Sequence, residues 1–578
     1  MSVSTTSLSL EGLLVVVLHR PLASAFTFLV IFITYKLAMK PILFPSPYRQ
    51  LPRPQRASYI LGQRAVEAQG LTYTPPHSTP VKVSGPGEVV KHYARTLDTS
   101  VFVFPEPFGG ESIFISDPFA LNAILGDIDK FQSDLLRSSI IEFIVGNGIV
   151  TRYGDAHRRQ RKLMAPAFTP AHLKGLTSIF SKYADLMCEK IAASGKDTVD
   201  LAEYLDCTML DIIGMAGFGY SCRALEKGRD GSELSSAFNA VNQAAIDFGL
   251  GRAIHLGLSA MIYPKACTWP LSEANRRIAK VNKVMDRISM QIVREAKTKV
   301  QKEGEDLGDK KDLLSLLMKG NLDAGAAERM TDKEISGQIQ TFMFAGYETS
   351  SVTTSWALHF LSQHPKVQEK LRKVLDETMK ERKGIALEEI RAADLEYDDV
   401  WCDQVKYLDW ILAETLRLCP PVPGNDREAT QDTVLPLMTP IKLTNGTTTS
   451  QLVIKKDTRV TVGIKTVNYD KRLFGPDADE FNPDRFGDLP ESHSNAKIPP
   501  YGTYSFIGGP KSCIGSKFAL TEMKILIIAV LARFELSPEP GVTIKQHQAL
   551  IVRPRVETSE GAAGAGMPLR VRRLVSKA

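Results

Sequence analysis

The sequence predicts a mainly α-helical protein with small β-sheets, folded as a single large domain behind a short N-terminal segment. Three observations lead to this prediction. Apolar residues recur at helical spacing through long stretches, of which 331–363 is the longest. Residues 433–467 instead alternate apolar residues with threonines around the turn-forming pair Asn445-Gly446. No linker or internal repeat divides the 578 residues, although one domain is usually shorter.

The predicted elements follow one another along most of the chain. A strand at 112–116 precedes a helix that Asp117-Pro118 begins and that continues to residue 125. Pro365 ends the longest helix, because proline cannot continue a helix from its interior. The mostly charged stretch 297–312 is expected to be a solvated connection. Further helices are predicted at 155–164, 173–193, 232–242, 272–302, 367–381 and 406–418.

The composition excludes several classes of protein. A hydrophobic share of 43% and a charged share of 24% are those of a globular protein. The net charge of +6 is small for this length, and the basic run is a short C-terminal tail, so nucleic-acid binding is not expected. The seven cysteines include no Cys-x-x-Cys pair, which excludes the usual zinc and iron–sulfur sites and indicates free thiols in a reducing compartment.

An apolar stretch predicts a membrane anchor within residues 1–40. Residues 22–39 approach the roughly 20 residues that span a bilayer, if the Lys36 side chain extends to the surface. A cleaved signal peptide ending near Ala23-Ser24-Ala25 is the weaker alternative. Positive residues follow the stretch, so the bulk of the chain is expected on the cytoplasmic side. Residues 41–55 contain five prolines and predict a stiff hinge before the large domain, 56–578.

Cys513 has the most informative surroundings in the chain. A turn-rich stretch, 506–512, precedes it, and Gly515 leads into a helical pattern. Glycines let the backbone pass close to a flat cofactor and donate N–H groups to the sulfur. The helix start and Lys511 favour a thiolate, which could ligate a metal. Taken alone, a cysteine near glycines is more often a small buried apolar residue.

Two further motifs lie upstream. The longest helix contains Ala345-Gly346-Tyr347-Glu348-Thr349, in which an acid stands beside an alcohol, as a proton relay requires. A threonine inside a helix usually returns its hydroxyl to a carbonyl one turn back. Gly346 nevertheless weakens the helix, and a local opening there would hold a small molecule. Glu414 and Arg417 share one face of a helix in apolar surroundings, which predicts a partly buried ion pair.

Together these motifs resemble those of the cytochrome P-450 family. The turn matches Phe-x-x-Gly-x-(Arg/Lys)-x-Cys-x-Gly, the family's haem-binding loop, and the motifs occur in the family's order. The resemblance implies the cytochrome P-450 fold, haem b as the cofactor and Cys513 as the axial ligand of its iron. It also implies that Ala345 and Gly346 border an oxygen-binding groove, where Thr349 stabilises the bound oxygen and Glu348 supplies protons.

The resemblance assigns roles to other residues as well. Arg485 is expected to complete a structural network with Glu414 and Arg417. His157 stands where the family usually has tryptophan, and Lys511 where it usually has arginine, which removes the bidentate geometry of a guanidinium. The further cofactor contacts, in the loop and toward the haem carboxylates, are expected at Phe506, Gly509, Gly515, Lys511, His157, Arg161 and Arg427.

The implied activity is that of a haem-thiolate monooxygenase, which inserts one atom of O2 into a lipophilic small molecule by hydroxylation or epoxidation. Too few residues follow Cys513 for a flavin module, and no dinucleotide-binding fingerprint occurs, so a separate NADPH-dependent flavoprotein reductase is expected to supply electrons. The residues at the motif positions are similar to those of fungal microsomal members, many of which modify terpenoids or polyketides. This similarity implies a single-pass protein of the endoplasmic reticulum membrane with its domain in the cytoplasm.

The sequence also predicts three functional surfaces and leaves two alternative functions open. Residues 140–145 are expected at the substrate pocket, and 253–263 as an entry lip that dips into the membrane. Basic residues near the sulfur are expected to attract an acidic partner. One alternative is a haem-thiolate isomerase or dehydratase that rearranges a peroxide without a reductase, although such enzymes tend to lack the acid–threonine pair. The other is an anchored haem protein without catalysis. The basic residues near the sulfur that are expected to attract an acidic partner are Arg158, Arg159, Lys511 and Lys517.

Overall fold

The computed structural model describes residues 46–59, 62–63, 71–73, 81–83, 85–246, 250–303, 312–325, 328–558 and 561–574, together with Thr27 and Tyr35. Apart from those two positions, the predicted anchor within residues 1–40 lies outside the described residues. Among the helices in these ranges, none is both long and apolar enough to cross a membrane. The described part of the predicted hinge packs on the domain, where Tyr48 and Leu51 are buried and the Pro52 carbonyl accepts a hydrogen bond from the Val103 N–H (2.9 Å).

Helices dominate the described chain, as the sequence predicts, and most predicted helices are confirmed to within a few residues. The stretch 297–312 differs, because its first residues continue the preceding helix to Glu303. In chain order the helices are α1 (Glu88–Thr96), α2 (Pro118–Gly126), α3 (Leu135–Val145), α4 (Gly154–Met164), α5 (Pro170–Ala193), α6 (Leu201–Phe218), α7 (Ala224–Lys227), α8 (Glu233–Ile246), α9 (Leu250–Ile262), α10 (Glu273–Glu303), α11 (Leu313–Asp323), α12 (Asp332–Gln363), α13 (Pro365–Lys383), α14 (Tyr397–Val400), α15 (Lys406–Leu418), α16 (Ile464–Asn468), α17 (Lys471–Phe474), α18 (Glu491–Asn495) and α19 (Ser516–Arg533).

The longest helix, α12, has defined signals at both ends. At its start the Glu334 N–H donates to Thr331 Oγ1 (3.2 Å) while the Thr331 N–H donates to Glu334 Oε2 (2.9 Å), which is a capping box. At its end Pro365 opens α13, because proline suits the first turn of a helix. α12 therefore forms a continuous helix through the centre of the domain.

Helix α6 packs against α12 and is absent from the sequence prediction. Its side chains are buried on nearly every side, so apolar residues mark no single face of the helix. Gly346 of α12 makes the close approach possible, because a Cβ there would lie 2.9 Å from Cγ1 of Ile213 in α6. The glycine thus serves helix packing.

The strands form several small sheets, as predicted. The largest has the order β3-β4-β10-β7-β5; its β4 and β10 are parallel and its other neighbours antiparallel. The pattern around Asn445-Gly446 is confirmed as the β8–β9 hairpin. In chain order the strands are β1 (Leu71–Tyr73), β2 (Val81–Val83), β3 (Val101–Pro105), β4 (Glu111–Ile115), β5 (Phe131–Gln132), β6 (Thr198–Asp200), β7 (Asn425–Ala429), β8 (Thr433–Lys442), β9 (Thr448–Ile454), β10 (Arg459–Val462), β11 (Phe534–Pro538), β12 (Thr543–Gln548), β13 (Val552–Thr558), β14 (Gly561–Ala565) and β15 (Pro568–Arg573).

Two apolar cores meet at the loop that carries Cys513. The larger core lies among the helices, including α5, α6, α12 and α19, and the smaller lies against the five-stranded sheet and α2. Tyr504 and Ile507 pack on the smaller core, whereas Phe506 and Ile514 pack on the larger one. The loop is therefore held from both sides.

Candidate active site

The loop before α19 is folded tightly around Cys513. The Cys513 N–H donates to the Phe506 carbonyl (2.9 Å), which closes the turn. Gly509 adopts the left-handed region (φ +68°), and a Cβ there would lie 2.1 Å from the carbonyl oxygen of Leu125. No other residue type fits this position without moving the backbone of α2. The predicted glycine-rich turn is thus present, with Gly509 set by the fold around it.

Ile507 is a strained residue of this loop. Its φ of +58° lies in the left-handed region, which a β-branched side chain disfavours. The Ile507 N–H donates to the Tyr504 carbonyl (2.8 Å), and the side chain packs on the smaller core. Such a conformation costs about 1–2 kcal/mol, so the surroundings of the loop determine its shape.

The Cys513 side chain is accessible, although protein atoms surround its sulfur. Of the seven cysteines, all free of disulfides, it is the exposed one. Burial nevertheless raises the pKa of its thiol, while a hydrogen bond from the Gly515 backbone and the charge of Arg161 oppose this rise. A sulfur that is both accessible and removed from bulk water is suited to bind a metal, which would deprotonate it.

One face of α12 is accessible although the rest of the helix around it is buried. Phe342, Ala345, Gly346 and Thr349 are partly exposed and follow the spacing of neighbours on one helix face. The Thr349 hydroxyl donates to the Ala345 carbonyl (2.8 Å), the ordinary bond of a helical threonine. The helix is unbroken at this point, so the local opening expected at Gly346 does not form in this structure. The assigned roles of Ala345, Gly346 and Thr349 stay predictions.

Glu348 is fully buried and pairs with a distant residue that the sequence does not indicate. Arg553 of β13 donates to Glu348 Oε1 (2.7 Å) and also binds Asp206 of α6. Asp206 in turn accepts hydrogen bonds from Ser351 and from Arg229 (3.2 Å). Burial raises the pKa of Glu348, and the charge of Arg553 opposes this rise. The acid of the predicted relay therefore belongs to a buried charge network.

The second carboxylate oxygen of Glu348 is left open by this network. Neither Glu348 Oε2 nor Asn242 Oδ1 has a hydrogen-bond partner among the described residues. The Asn242 amide lies near enough to lower the pKa of Glu348. In one arrangement the Asn242 amide is turned and its N–H points at the carboxylate. In the other, Glu348 is protonated and its O–H donates to the amide oxygen of Asn242. In both arrangements Glu348 has an oxygen that can take up a proton.

Glu414, Arg417 and Arg485 come together as predicted. Glu414 is fully buried, and its two oxygens accept from Arg417 Nε (2.7 Å) and Nη2 (2.8 Å). Arg485 Nε (2.9 Å) and the Asn482 N–H (2.9 Å) complete the set. Arg417 also donates to the carbonyls of Asn468 and Ala478. The network ties α15 to the chain before the Cys513 loop.

The side chains predicted to hold the haem carboxylates lie close together. Burial first, and then repulsion by Arg427 and Arg161, lower the pKa of Lys511 to about 7. Burial first, and then repulsion by Lys511, Arg161 and Arg158, lower the pKa of His157 to about 4, so its imidazole is neutral, and its Nδ1 has no partner in the described structure. The Lys511 ammonium lies 4.2 Å from the centre of the Tyr153 ring. Clustered cations with an unpartnered imidazole fit an anionic ligand.

Lys511 and Arg161 already have protein partners. The three N–H groups of Lys511 donate to the carbonyls of Ile149 (3.1 Å), Val150 (3.0 Å) and Arg152 (2.7 Å), so a carboxylate would have to replace one carbonyl. Arg161 donates to the Ser512 carbonyl (2.7 Å) and hydroxyl (3.2 Å) and thereby holds α4 against the loop. The accessible sulfur, the cations and the orphaned His157 nitrogen together fit haem, and each contact stays a prediction.

The surface predicted to attract an acidic partner is not supported at three of its four residues. Lys511 points inward, as described above. Arg158 pairs with Asp155 (2.8 Å), and Arg159 pairs with Glu334. Carboxylates of the same chain therefore neutralise these charges, while Lys517 remains exposed.

Comparison with known proteins identifies the family of the chain. A sequence profile described as Cytochrome P-450 matches residues 88–559. The chain belongs to the cytochrome P-450 family. It is 32% identical over 543 residues to Cytochrome P-450 monooxygenase 205 of Postia placenta, covering 91% of this chain and 93% of that relative. It is 33% identical over 454 residues (75% and 81%) to a ganoderic acid synthetase of Ganoderma lucidum. It is also 31% identical over 501 residues (85% and 89%) to monooxygenase claQ of Ampulloclitocybe clavipes.

These relatives make the protein a cytochrome P-450 monooxygenase, whose family uses haem iron, electrons from a redox partner and lipophilic substrates. The expected mainly helical fold with small sheets is confirmed. The isomerase and non-catalytic alternatives are not favoured, since the relatives named for their reaction are monooxygenases.

Proposed function

We propose that this cytochrome P-450 is a membrane-bound monooxygenase of fungal secondary metabolism. It inserts one oxygen atom into a lipophilic small molecule, a terpenoid or polyketide, by hydroxylation or epoxidation. Its electrons come from a separate NADPH-dependent flavoprotein reductase. The observation that carries the proposal is the accessible Cys513 sulfur on its closed loop. The name of one relative, ganoderic acid synthetase, supports a biosynthetic role.

Bound haem would supply the iron that reduces O2 and transfers one of the two oxygen atoms to the substrate. Cys513 would hold that iron through its thiolate, which the Gly515 N–H and Arg161 stabilise. Arg161, Arg427 and neutral His157 would bind the carboxylates. Arg161 also fixes the loop through Ser512, so a single side chain would orient both the sulfur and the cofactor.

Glu348 would hold and deliver the protons that the second oxygen atom needs to leave as water. Its Oε2 is open, and Thr349 follows it in α12 toward the accessible face of the helix. A series of charges leads outward from it. Side-chain exposure rises from 0% at Glu348 to 10% at Arg553 and 21% at Arg229. This series supports a connection between the acid and the surface.

An exposed apolar cluster supports contact with the endoplasmic reticulum membrane. It lies at the end of α9 and just beyond, and its side chains are 39–66% exposed. It overlaps the predicted entry lip, 253–263, and contains two aromatic rings, a residue type that favours the membrane interface. The cluster consists of Leu258, Ile262, Tyr263, Trp269 and Leu271.

Spectra and turnover test the enzymatic part of the proposal. The reduced, carbon monoxide-bound protein should show the red-shifted band of thiolate-ligated haem, and Cys513→Ala should abolish it. With a flavoprotein reductase and a panel of terpenoids and polyketides, product should form in an NADPH-dependent manner. A wild-type band at the position of histidine-ligated haem would contradict the ligand assignment. Product formation from a peroxide without reductase would favour the isomerase class.

Lipid quenching tests the membrane contact. In bilayers that carry quenching acyl chains, Trp269 fluorescence should be quenched, and Trp269→Phe should remove that quenched component. Full-length protein in quencher-free bilayers is the control. Quenching that is unchanged in Trp269→Phe would show that the cluster does not reach the acyl chains.

A further inference from the structure

Lys511 contacts a part of the chain outside its own loop. Its three N–H groups donate to the carbonyls of Ile149 (3.1 Å), Val150 (3.0 Å) and Arg152 (2.7 Å). All three carbonyls belong to the α3–α4 loop, defined as residues 146–153, which joins the last residue of α3 to the first residue of α4. An ammonium group has three hydrogens to donate, so Lys511 uses every one of them on this loop.

Helix α12 holds the same loop through two polar side chains. The Ile149 N–H donates to Gln338 Oε1 (2.9 Å), and Thr341 Oγ1 donates to the carbonyl of Val145, the last residue of α3 (3.0 Å). Gly148 allows a close approach, because a Cβ there would lie 2.1 Å from Thr341 Oγ1. The loop is therefore fixed at α12 as well.

A lysine suits these contacts better than an arginine does. The three N–H bonds of an ammonium diverge from one nitrogen, whereas a guanidinium presents its donors in one plane. Ile149 is 6% exposed, so its carbonyl would lose a hydrogen bond in a buried place if a carboxylate displaced it from Lys511. The ring centre of Tyr153, the residue before α4, lies 4.2 Å from the same ammonium nitrogen. The surroundings of Lys511 are thus already complete without an anionic ligand.

The end of α3 lies beside the accessible face of α12. Thr341, which binds the last carbonyl of α3, is followed by Phe342, and Phe342 belongs to the accessible face together with Ala345. Ile141 and Phe143 of α3 are partly buried against the larger core, on which Phe342 also packs. A shift of the α3–α4 loop would therefore move side chains at the border of the space that α12 leaves open.

We propose that Lys511 holds the α3–α4 loop against the Cys513 loop and thereby sets the end of α3 at the border of the substrate pocket, in place of the predicted contact with a haem carboxylate. Arg161, Arg427 and His157 then bind the carboxylates without it. Lys511 is a positioning residue in this account, since it contacts backbone carbonyls and acts on substrate through α3. The substrate part of the inference rests on the proposed monooxygenase function.

Hydrogen exchange tests the contact with the loop. In full-length, haem-loaded Lys511→Met, the amides of residues 146–153 should exchange several-fold faster than in wild type. Lys511→Arg should behave alike, because its planar donors cannot meet all three carbonyls. Lys517→Met, which removes an exposed lysine from the start of α19, is the matched control and should leave this exchange unchanged. Wild-type exchange of the loop in both Lys511 variants would overturn the proposal.

The rate of haem loss to apomyoglobin separates the loop contact from a carboxylate contact. Arginine would readily replace a lysine that binds a haem carboxylate, so Lys511→Met would then lose haem faster than Lys511→Arg. We expect instead that both variants lose haem near the wild-type rate, while Arg427→Gln loses it several-fold faster. Faster loss confined to Lys511→Met, together with a wild-type loop in Lys511→Arg, would refute the inference. Should Lys511→Met fail to bind haem, loop exchange in Lys511→Arg still decides the question.

Substrate binding is the functional readout. For each terpenoid or polyketide of the panel that is turned over, both Lys511 variants should show a several-fold higher KM, with KM changing more than kcat, because a looser pocket wall weakens binding without touching the reacting atoms. A faster-exchanging loop with wild-type KM would contradict the role at the substrate pocket. A panel without any product would refute the proposed function alone, since hydrogen exchange and haem loss need no substrate.

Discussion

Glu414 and Glu348 are both fully buried glutamates on helices, but their surroundings differ in a way that separates structure from function. Glu414 accepts hydrogen bonds from two arginines and from a backbone N–H, so both of its oxygens are used. Glu348 meets one arginine through one oxygen, and its other oxygen is open. A carboxylate with both oxygens hydrogen-bonded fixes its neighbours in place. A half-satisfied one can exchange a proton at modest cost.

The largest expected effect is the loss of stability in Glu414→Ala. This change leaves Arg417 and Arg485 buried without a counter-charge, and breaking such a network typically costs about 3–5 kcal/mol. We expect little folded, haem-loaded protein, measured by denaturant unfolding. Glu273→Ala, which removes an exposed pair with Arg276, is the matched control and should leave stability unchanged. Equal stability of the two variants would contradict the structural role assigned to Glu414.

Arg553→Met should destabilise less, by about 2–3 kcal/mol, because Glu348 can take up a proton when its cation is lost. The loss should depend on pH. The pKa of Glu348 is already raised in the folded protein, and removing Arg553 raises it further. Folding of the variant then requires protonation of Glu348, so its stability should fall as the pH rises above 4.5, and should fall relative to wild type once the pH exceeds the raised pKa that Glu348 has in the wild-type protein. A difference in unfolding free energy that does not change with pH would contradict this.

Glu348→Gln should affect turnover more than stability. The amide fills the same space but cannot release a proton, so product formation should fall about 10²-fold, the usual contribution of a proton-transfer group. The carbon monoxide band should stay intact, and a solvent deuterium isotope effect should appear or increase. Unchanged turnover would place proton delivery elsewhere.

Thr349→Ala should have the smallest effect on the fold. Its hydroxyl bonds only the helix's own Ala345 carbonyl, so stability should change by less than about 1 kcal/mol. Coupling should nevertheless decrease, with more peroxide and less product per NADPH. Thr353→Ala, which removes the same type of bond one turn on, is the control and should leave coupling unchanged.

Local sequence patterns predict much of the fold and part of the site. α12, α4 and α15 have clear starts, ends or one apolar face, and each is present close to its predicted bounds. α6 was not predictable in this way because it is buried on nearly every side, so its apolar residues mark no single face. The Glu414 network was predictable because two members share one helix turn.

The partners of Glu348 show the limit of sequence patterns. Arg553 lies 205 residues further along the chain and occurs in an ordinary strand pattern, so only the fold brings the two together. Lys511 shows the opposite limit. Its position in the motif is visible, but the three carbonyls that hold its ammonium come from a loop without any sequence signature.

The left-handed Ile507 has a consequence for handling the protein. The loop keeps a disfavoured backbone conformation because it packs on two cores. When either core loosens, the Ile507 backbone should move to a favoured conformation. Storage, mild heat or detergent should therefore spoil the sulfur's surroundings while the helices are still intact. Ageing of a preparation would then show first in the colour of the cofactor and only later in its helical content.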